Sequence, residues 1–303
     1  MIQARGLSKW FGQVIALNGV DVRIGEGITG LLGLNGAGKT TFLRLLTGQL
    51  RPSQGSVTLF GEPIWNNHRL LRRIGVCPEE DAFYDLSGLA FVACLARLSG
   101  LRRAEARRRA EEVLERVGLG PHRHRSVRAY SRGMRQRVKL AQALVHDPEV
   151  LFLDEPLTGT DPIVRRELRE LIVALGAAGK HIVLSSHVLH EVESITHTIV
   201  LMHRGRVLAD GDVERIRALM DEHPHRVRIL CDRPRTLARA LVDRPHVVGL
   251  ELTPGALVVE TDDPADFFAA VPHLVDATGV EVDELVSEDD DLAAVFRYLV
   301  ERS

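Results

Sequence analysis

The chain has 303 residues and is 45% hydrophobic, which is enough for one large or two ordinary domains with packed cores and excludes an intrinsically disordered chain. Its net charge of −2 conceals an asymmetry, because residues 1–225 carry 31 basic and 25 acidic side chains whereas residues 226–303 carry 8 and 16. Three cysteines that lie far apart in the sequence exclude a disulfide framework and indicate a reducing cytosol.

Alternating apolar and polar residues predict the first strands, between Val14 and Ile24. Two aromatic residues, Trp10 and Phe11, stand just before Gly12 at the upstream end of this region. An aromatic ring here can stack on the adenine ring of a nucleotide, and Phe11 is the favoured residue. The alternatives are stacking by Trp10 or packing of the aromatic side chain in the core.

A glycine-rich loop follows the short apolar run Ile28–Leu32 and has the pattern of a phosphate-binding loop. Its residues are Gly33, Leu34, Asn35, Gly36, Ala37, Gly38, Lys39, Thr40 and Thr41. The glycines lack the Cβ atoms that would keep a triphosphate away from backbone N–H groups at the start of the next helix. Lys39 is placed to reach the β and γ phosphates, and the Thr40 hydroxyl to bind Mg²⁺. The loop therefore predicts ATP and Mg²⁺ as ligands, with a helix from Lys39 to Gly48.

The next part of the chain changes from strand to helix. Strands are predicted over Gly55–Gly61 and Ile74–Pro78, and from Leu86 to Ala129 the period becomes helical with a high density of charge. Arginine is frequent there, since residues 97–137 contain 13 arginines and four acidic side chains. This excess fits either a surface that faces nucleic acid or lipid, or the solvated face of a helical insertion.

Polar residues stand at the ends of two later strands. Val150–Leu153 is fully apolar and too short for a helix, which predicts a buried parallel strand. Asp154 and Glu155 follow at its C-terminal end, where ligands bind in such sheets. His187 likewise comes shortly after a strand predicted over Ile182–Leu184.

These three side chains have the chemistry that ATP hydrolysis requires. The Asp154 carboxylate can hold Mg²⁺ through water molecules, and Glu155 can polarise the attacking water as a general base. His187 can form a hydrogen bond with the γ-phosphate and stabilise the charge of the transition state. The plainer interpretations are a solvated loop acid for Glu155 and a capping residue for His187.

A linker is expected over Met220–Arg226, followed by a small accessory domain, residues 226–303. Its predicted elements are strand Val227–Cys231, helix Thr236–Val242, strands Val247–Leu252 and Ala256–Glu260, helix Pro264–Val271, strand Val280–Leu285 and helix Leu292–Val300. Two successive strand–helix–strand units are typical of a ferredoxin-like fold. No set of catalytic residues is visible in this domain, so we expect a role in dimer support or regulation.

Membrane insertion is not expected for this chain. No apolar stretch approaches the roughly 20 residues that a membrane-spanning helix requires, and the first residues lack the apolar core of a signal peptide. We therefore expect a soluble chain, whose role at a membrane would need a partner.

The motifs together resemble the ATP-binding cassette (ABC) ATPases over about residues 1–215. The resemblance rests on the phosphate loop, the signature stretch Ser131–Met134 at the start of a helix, the strand that ends in Asp154 and Glu155, the loop Thr158–Asp161, and His187. The signature stretch is most similar to that of ATP-binding subunits of type 2 ABC exporters. The resemblance implies an α/β fold, in which a P-loop NTPase core with a mixed sheet occupies residues 1–219 and includes a helical subdomain at about 80–146.

In this family the nucleotide lies between two subunits. The resemblance therefore assigns Ser131 and Gly133 to the γ-phosphate of ATP bound by the partner, and Asp161 to communication across the interface. Because all the hydrolytic residues are present in one chain, we expect a homodimer with two competent sites.

The resemblance also implies a place in the cell. It predicts a separate transmembrane permease that docks near residues 79–119, with the chain peripheral on the cytoplasmic face of the cell membrane and no direct contact with nucleic acid. The alternative is a soluble, non-transport ABC ATPase that acts on ribosomes or nucleic acid.

The sequence departs from the family's pattern at several positions. Arg132 stands where the commonest signature has glycine, and Met134 where it has glutamine. Because Ser131 and Gly133 remain, we expect ATP-dependent closure to survive. Glu79 follows a strand where a glutamine is usual, so it is either a Mg²⁺ ligand, a contact to the partner or a surface acid.

Overall fold

The computed structural model describes residues 1–81, 84–218 and 224–287. The chain divides into two compact units, Met1–Gly211 and Asp212–Ser303. The domain limits expected from the sequence, 1–219 and 226–303, and those of the helical subdomain stay predictions.

An antiparallel sheet forms one layer of the first unit. Its strands, in the spatial order β2-β1-β4-β5, are β1 (Ile2–Phe11), β2 (Val14–Ile24), β4 (Gln54–Leu59) and β5 (Glu62–Pro63). The hairpin of β1 and β2 ends where Phe11 pairs with Val14. The aromatic residue proposed for adenine therefore lies at the tip of a hairpin.

A second sheet of six strands leads into the phosphate loop and into the acidic residues Asp154 and Glu155. Its strands, in the spatial order β10-β9-β3-β8-β7-β6, are β3 (Ile28–Leu32), β6 (Ile74–Cys77), β7 (Val150–Asp154), β8 (His181–Ser186), β9 (Thr198–His203) and β10 (Arg206–Asp212). β3 is parallel to β8 and β9, and β7 is parallel to β6 and β8. β7 is buried throughout, as its apolar sequence predicts. The carboxyl ends of β3, β7 and β8 therefore meet at one edge of the sheet.

Seven helices of the first unit lie among the described residues. They are α1 (Lys39–Leu46), α2 (His68–Leu71), α3 (Gly88–Leu98), α4 (Arg103–Arg116), α5 (Arg132–Leu144), α6 (Pro162–Ala177) and α7 (Leu189–Glu193). The helical insertion predicted from residue 86 consists of α3 and α4 with two short 3₁₀ turns, and α3 packs against both α4 and α5. Both α3 and α5 begin at a serine, Ser87 and Ser131, because the serine hydroxyl accepts a hydrogen bond from a free backbone N–H of the first turn.

The second unit has the ferredoxin-like arrangement expected from its sequence. Its elements are α8 (Val213–Ala218), β11 (His225–Cys231), α9 (Pro234–Leu241), β12 (Val247–Thr253), β13 (Ala256–Thr261), α10 (Pro264–Thr278) and β14 (Val282–Ser287). The four strands form an antiparallel sheet in the order β12-β13-β11-β14. Side chains of β11 and β13 pack with α9 and α10 in a core of its own. The predicted final helix Leu292–Val300 lies outside the described residues.

Helix α10 is longer than predicted. The sequence predicts its end at Val271, one residue before Pro272, whereas the helix continues to Thr278 and ends at Gly279, which has φ of 62°. Proline removes one intrahelical hydrogen bond. Leu274, beyond the proline, is buried in the core with Val271, so packing offsets that loss.

Two expectations about the whole chain can be compared with the structure. Cys77, Cys94 and Cys231 are all free thiols, in agreement with the absence of a disulfide framework. Across the described ranges, which omit 82–83, 219–223 and 288–303, no helix is both long and apolar enough to cross a bilayer.

Candidate functional site

The phosphate loop joins β3 to α1 in a conformation that requires glycine. Gly36 has φ of 81° and Gly38, the N-cap of α1, has φ of 101°. A Cβ atom on Gly38 would lie 2.8 Å from the carbonyl oxygen of Ala16. No side chain of the described structure caps α1, so the N–H groups of its first turn are left for an anion.

Three further residues of the predicted phosphate site are Asn35, Ala37 and Thr41. Asn35 is exposed, and Thr41 is half-buried in the first turn of α1. Ala37 is buried, and its carbonyl oxygen accepts a hydrogen bond from the Gly205 N–H at 2.9 Å. The loop is therefore anchored to the turn between β9 and β10.

The Lys39 side chain lies across the loop. Its Nζ donates a hydrogen bond to the Gly33 carbonyl oxygen at 2.7 Å and lies 3.5 Å from Glu155 Oε1. Both side chains are almost fully buried, at 7% and 6% exposed. An unpaired charge would be costly at that depth. The ion pair therefore joins the phosphate loop to the end of β7, two parts that the sequence predicts separately.

Asp154 and Thr40 lie together, as a Mg²⁺ site requires. Asp154 Oδ1 accepts a hydrogen bond from Ser185 Oγ at 2.5 Å, and Thr40 hydrogen-bonds to the same carboxylate. Burial raises the pKa of Asp154, against the opposing effect of these two hydrogen bonds. A hard cation beside this carboxylate would favour its charged form, so the residues present fit Mg²⁺.

Glu155 is held on both its backbone and its side chain. Its φ is 48°, a region that residues other than glycine rarely adopt. The Glu155 N–H donates a hydrogen bond to Ser185 Oγ at 2.9 Å. Its Oε2 accepts one from Thr158 Oγ1 at 2.8 Å and lies 2.9 Å from Nδ1 of His187. The structure thus brings Glu155 and His187 into direct contact.

Glu79 lies in the neighbouring segment and is exposed. It lines one cavity with Asp154 and a second with Glu155. Its carbonyl oxygen accepts a hydrogen bond from Lys139 Nζ at 2.7 Å. Its predicted role as a Mg²⁺ ligand stays a prediction.

Ser131 and Gly133 lie at the start of α5. Ser131 is exposed, and its hydroxyl accepts a hydrogen bond from the Met134 N–H at 3.3 Å. Gly133 is buried, and a Cβ atom there would lie 3.3 Å from Val164 on α6. Within the described residues, no hydrogen bond joins either of them to the phosphate loop. Their place in an ATP site of another subunit stays a prediction.

Asp161 has a role within its own chain. It is the N-cap of α6, and its Oδ1 accepts hydrogen bonds from the N–H groups of Ile163 and Val164 at 3.1 and 3.0 Å. This capping fixes the start of α6. Its communication across an interface stays a prediction.

The two aromatic residues of β1 are exposed. Trp10 is 43% exposed and Phe11 is 47% exposed, so neither is packed in the core. Lys9 Nζ lies 5.1 Å from the centre of the Phe11 ring. Stacking of Phe11 on adenine stays a prediction.

Sequence reasoning missed three residues that fix Glu155. Ser185 is bonded to both Asp154 and Glu155, Thr158 to the Glu155 carboxylate, and Gln136 to the backbone of the same loop. Ser185 could have been found, because it pairs in register with Asp154 at the end of an adjacent parallel strand. Gln136 lies inside helix α5, and no sequence pattern indicates that its side chain contacts the Glu155 loop.

Comparisons with known proteins agree with this geometry. A family model described as ABC transporter matches residues 17–158. The bacitracin transport ATP-binding protein BcrA of Bacillus licheniformis is 37% identical over 214 residues, which cover 69% of this chain and 69% of that protein. An uncharacterized ABC transporter ATP-binding protein of Nostoc sp. is 42% identical over 212 residues, 68% of this chain and 63% of that protein. The chain thus spans less than two thirds of the length of the Nostoc relative.

A solved structure, described as the ATP binding subunit of an ABC transporter, has a similar fold. It is 28% identical and superposes with a TM-score of 0.66 over 73% of this chain and 93% of that chain.

Replacing Ser185 with alanine tests whether its hydroxyl holds Asp154 and Glu155 in place. The Ser185→Ala variant leaves the buried Glu155 N–H without its acceptor, so we expect the free energy of unfolding to fall by about 1–3 kcal/mol. Denaturant unfolding measures that loss. The matched control is Ser194→Ala, which removes a hydroxyl bonded to the Glu191 carbonyl oxygen away from the site. Equal stability of the two variants would contradict the role of Ser185.

Proposed function

The chain belongs to the ABC transporter family of ATP-binding proteins, and we propose that it hydrolyses ATP in a two-subunit sandwich to drive export through a separate membrane permease. The proposal rests on the cluster in which Glu155 contacts both Lys39 of the phosphate loop and His187. In the proposal, Lys39 would bind the phosphates, Glu155 would act as the base and His187 would bind the γ-phosphate, and these contacts hold the three side chains together.

ATP binding would first change the partners of Lys39. In the structure its Nζ is satisfied by the Gly33 carbonyl oxygen and the Glu155 carboxylate. The β and γ phosphates carry more negative charge than these groups and would draw the ammonium toward the ligand. The Glu155 carboxylate would then be free to accept a hydrogen bond from the attacking water.

Glu155 would act as the general base for hydrolysis. Its Oε2 is oriented by Thr158 and lies beside His187, so the carboxylate has a fixed direction before substrate arrives. A water bound to that oxygen would be polarised for attack on the γ-phosphorus. The His187 side chain is 37% exposed and can turn toward the γ-phosphate to stabilise developing charge.

Mg²⁺ would be held by Thr40 and Asp154 together with the phosphates. Among residues 1–81, 84–218 and 224–287, no group of three or more His, Cys, Asp or Glu side chains is arranged to hold a metal ion by itself. That matches an ion which keeps several waters and relies on substrate phosphates. When bound, Mg²⁺ would offset charge on the β and γ oxygens.

The ATP site would be completed by a second copy of the chain. Ser131 is an exposed N-cap, and the first turn of α5 presents N–H groups that suit a phosphate. Since one chain holds Lys39, Asp154, Glu155 and His187, a homodimer would contain two complete sites. Hydrolysis would remove the γ-phosphate that favours the closed dimer.

The relatives and the signature stretch support a role in transport. BcrA is named as a bacitracin transport protein, and the similarity to type 2 exporters supports export. A permease would supply the membrane path and hold the chain at the cytoplasmic face through the helices near residues 79–119. The accessory domain would support the dimer or regulate it.

The Glu155→Gln variant tests whether Glu155 acts as the general base. Glutamine keeps the size of the side chain but cannot accept a proton from water, so ATP binding should persist while turnover falls by about 10²-fold or more. Fluorescent-nucleotide titration and phosphate release measure the two properties. Glu149→Gln, which breaks an exposed ion pair with Arg73, is the control and should keep wild-type turnover. Unchanged turnover of Glu155→Gln would refute the assignment.

Purification from membranes tests the transport role. The Glu155→Gln chain, loaded with Mg²⁺ and ATP, should co-purify with an integral membrane protein from detergent-solubilised membranes, because trapped ATP would hold the closed state. Lys39→Ala, which lacks the phosphate-binding cation, is the matched control for nucleotide dependence. Recovery of ribosomes or nucleic acid in place of a membrane protein would favour the soluble alternative.

A further inference from the structure

Gln136 is a buried polar residue in the second turn of α5, and its side chain forms hydrogen bonds outside its own helix. It is 6% exposed. Its Nε2 donates hydrogen bonds to the Glu155 carbonyl oxygen at 3.0 Å and to the Pro156 carbonyl oxygen at 3.1 Å. Both N–H bonds of the amide are therefore used on the loop that carries the base.

These bonds complete the support of a strained backbone. With φ of 48°, Glu155 occupies the left-handed region, which costs about 1–2 kcal/mol for a residue with a Cβ atom. The Glu155 N–H is fixed by Ser185, and the Glu155 carbonyl oxygen is fixed by Gln136. The peptide groups before and after the Glu155 Cα atom are thus held by two different elements, the first by β8 and the second by α5.

Three other long polar side chains of α5, those of Arg135, Arg137 and Lys139, have different partners. Arg135 pairs with Asp81, and Arg137 pairs with Glu167. Lys139 donates to the Glu79 carbonyl oxygen. Among the hydrogen bonds of the described residues, Gln136 alone links α5 to the backbone of the Glu155 loop.

The helix that bears Gln136 begins at Ser131, less than two turns away. We infer that Gln136 is a positioning residue, which ties the general base of one ATP site to the helix whose N-terminus completes the other ATP site. This inference rests on the proposed function. A shift of α5 on contact with the partner's ATP would move the Glu155 backbone with it, because a rigid helix carries both groups.

The variant Gln136→Met tests this link. Methionine has nearly the same length and no N–H donor, so both carbonyl oxygens lose their hydrogen bond from α5 while the volume of the side chain is kept. The Glu155 carbonyl oxygen then keeps only its longer bond from the Thr158 N–H, at 3.3 Å. We expect kcat to fall about ten- to hundred-fold, because a small displacement of the base has a large effect on rate. The Kd for ATP, measured by fluorescent-nucleotide titration, should stay within about two-fold, since the phosphate loop is intact.

The variant Gln136→Glu keeps the shape of the side chain even more closely. An ionised glutamate would place an acceptor oxygen against two carbonyl oxygens, so its kcat should fall at least as far as that of Gln136→Met. Wild-type kcat in this variant would overturn the inference.

Arg137→Met is the control for loss of stability. It breaks the ion pair with Glu167 on α6 and a hydrogen bond to the Val117 carbonyl oxygen at the end of α4, without touching the Glu155 loop. Its Tm should fall while its kcat stays at the wild-type value. If Arg137→Met and Gln136→Met lose kcat equally, the role of Gln136 is only structural and the inference is wrong.

The wild-type chain separates failure of the inference from failure of the proposed function. Absence of ATP hydrolysis by the full-length wild-type chain would sink the proposed function itself. Hydrolysis by the wild type together with unchanged kcat in Gln136→Met would sink only the link through Gln136.

Discussion

The fixed backbone of Glu155 is the constraint on which the rest of the site depends. β7 is a buried apolar strand between its parallel neighbours β6 and β8, and Glu155 follows its last residue in a left-handed conformation. Two buried side chains hold that conformation, Ser185 at the N–H and Gln136 at the carbonyl oxygen. The energy of a well-packed sheet and helix thus maintains one carboxylate in a direction that an isolated chain would rarely choose.

One edge of the sheet brings together the residues that this chain itself contributes to the candidate site. Parallel pairing places the ends of β3, β7 and β8 side by side, so the phosphate loop, Asp154 and Ser185 meet without long connections. Ser131 is instead an exposed N-cap on α5, and no hydrogen bond among the described residues joins it to the phosphate loop. In the proposed sandwich of two copies, Ser131 would instead meet the phosphate bound by the other copy.

Sequence reasoning found the parts of the site that depend on local pattern. Local sequence pattern predicts the glycine loop, the apolar strand β7 and the acidic residues at the end of β7. The sheet topology then places these parts close together. Gln136 and Thr158 were not predicted, since their contacts depend on tertiary packing between elements. The predicted end of α10 at Val271 was wrong for a similar reason. A proline favours the end of a helix, but core contacts of residues beyond Pro272 stabilise its continuation to Thr278. The capping of α6 by Asp161 was also not predicted, because it depends on the conformation of the loop before the helix.

The central claim is that each ATP site combines the phosphate loop of one copy with α5 of another. Mixing two inactive variants, Lys39→Ala and Ser131→Arg, tests it directly, because a mixed dimer would contain one site with both defects and one site with none. The account predicts that an equal mixture recovers up to about a quarter of the wild-type ATPase rate, since half of the dimers are mixed and each has one intact site. No recovery beyond the sum of the separate variants, with dimers formed, would contradict the account.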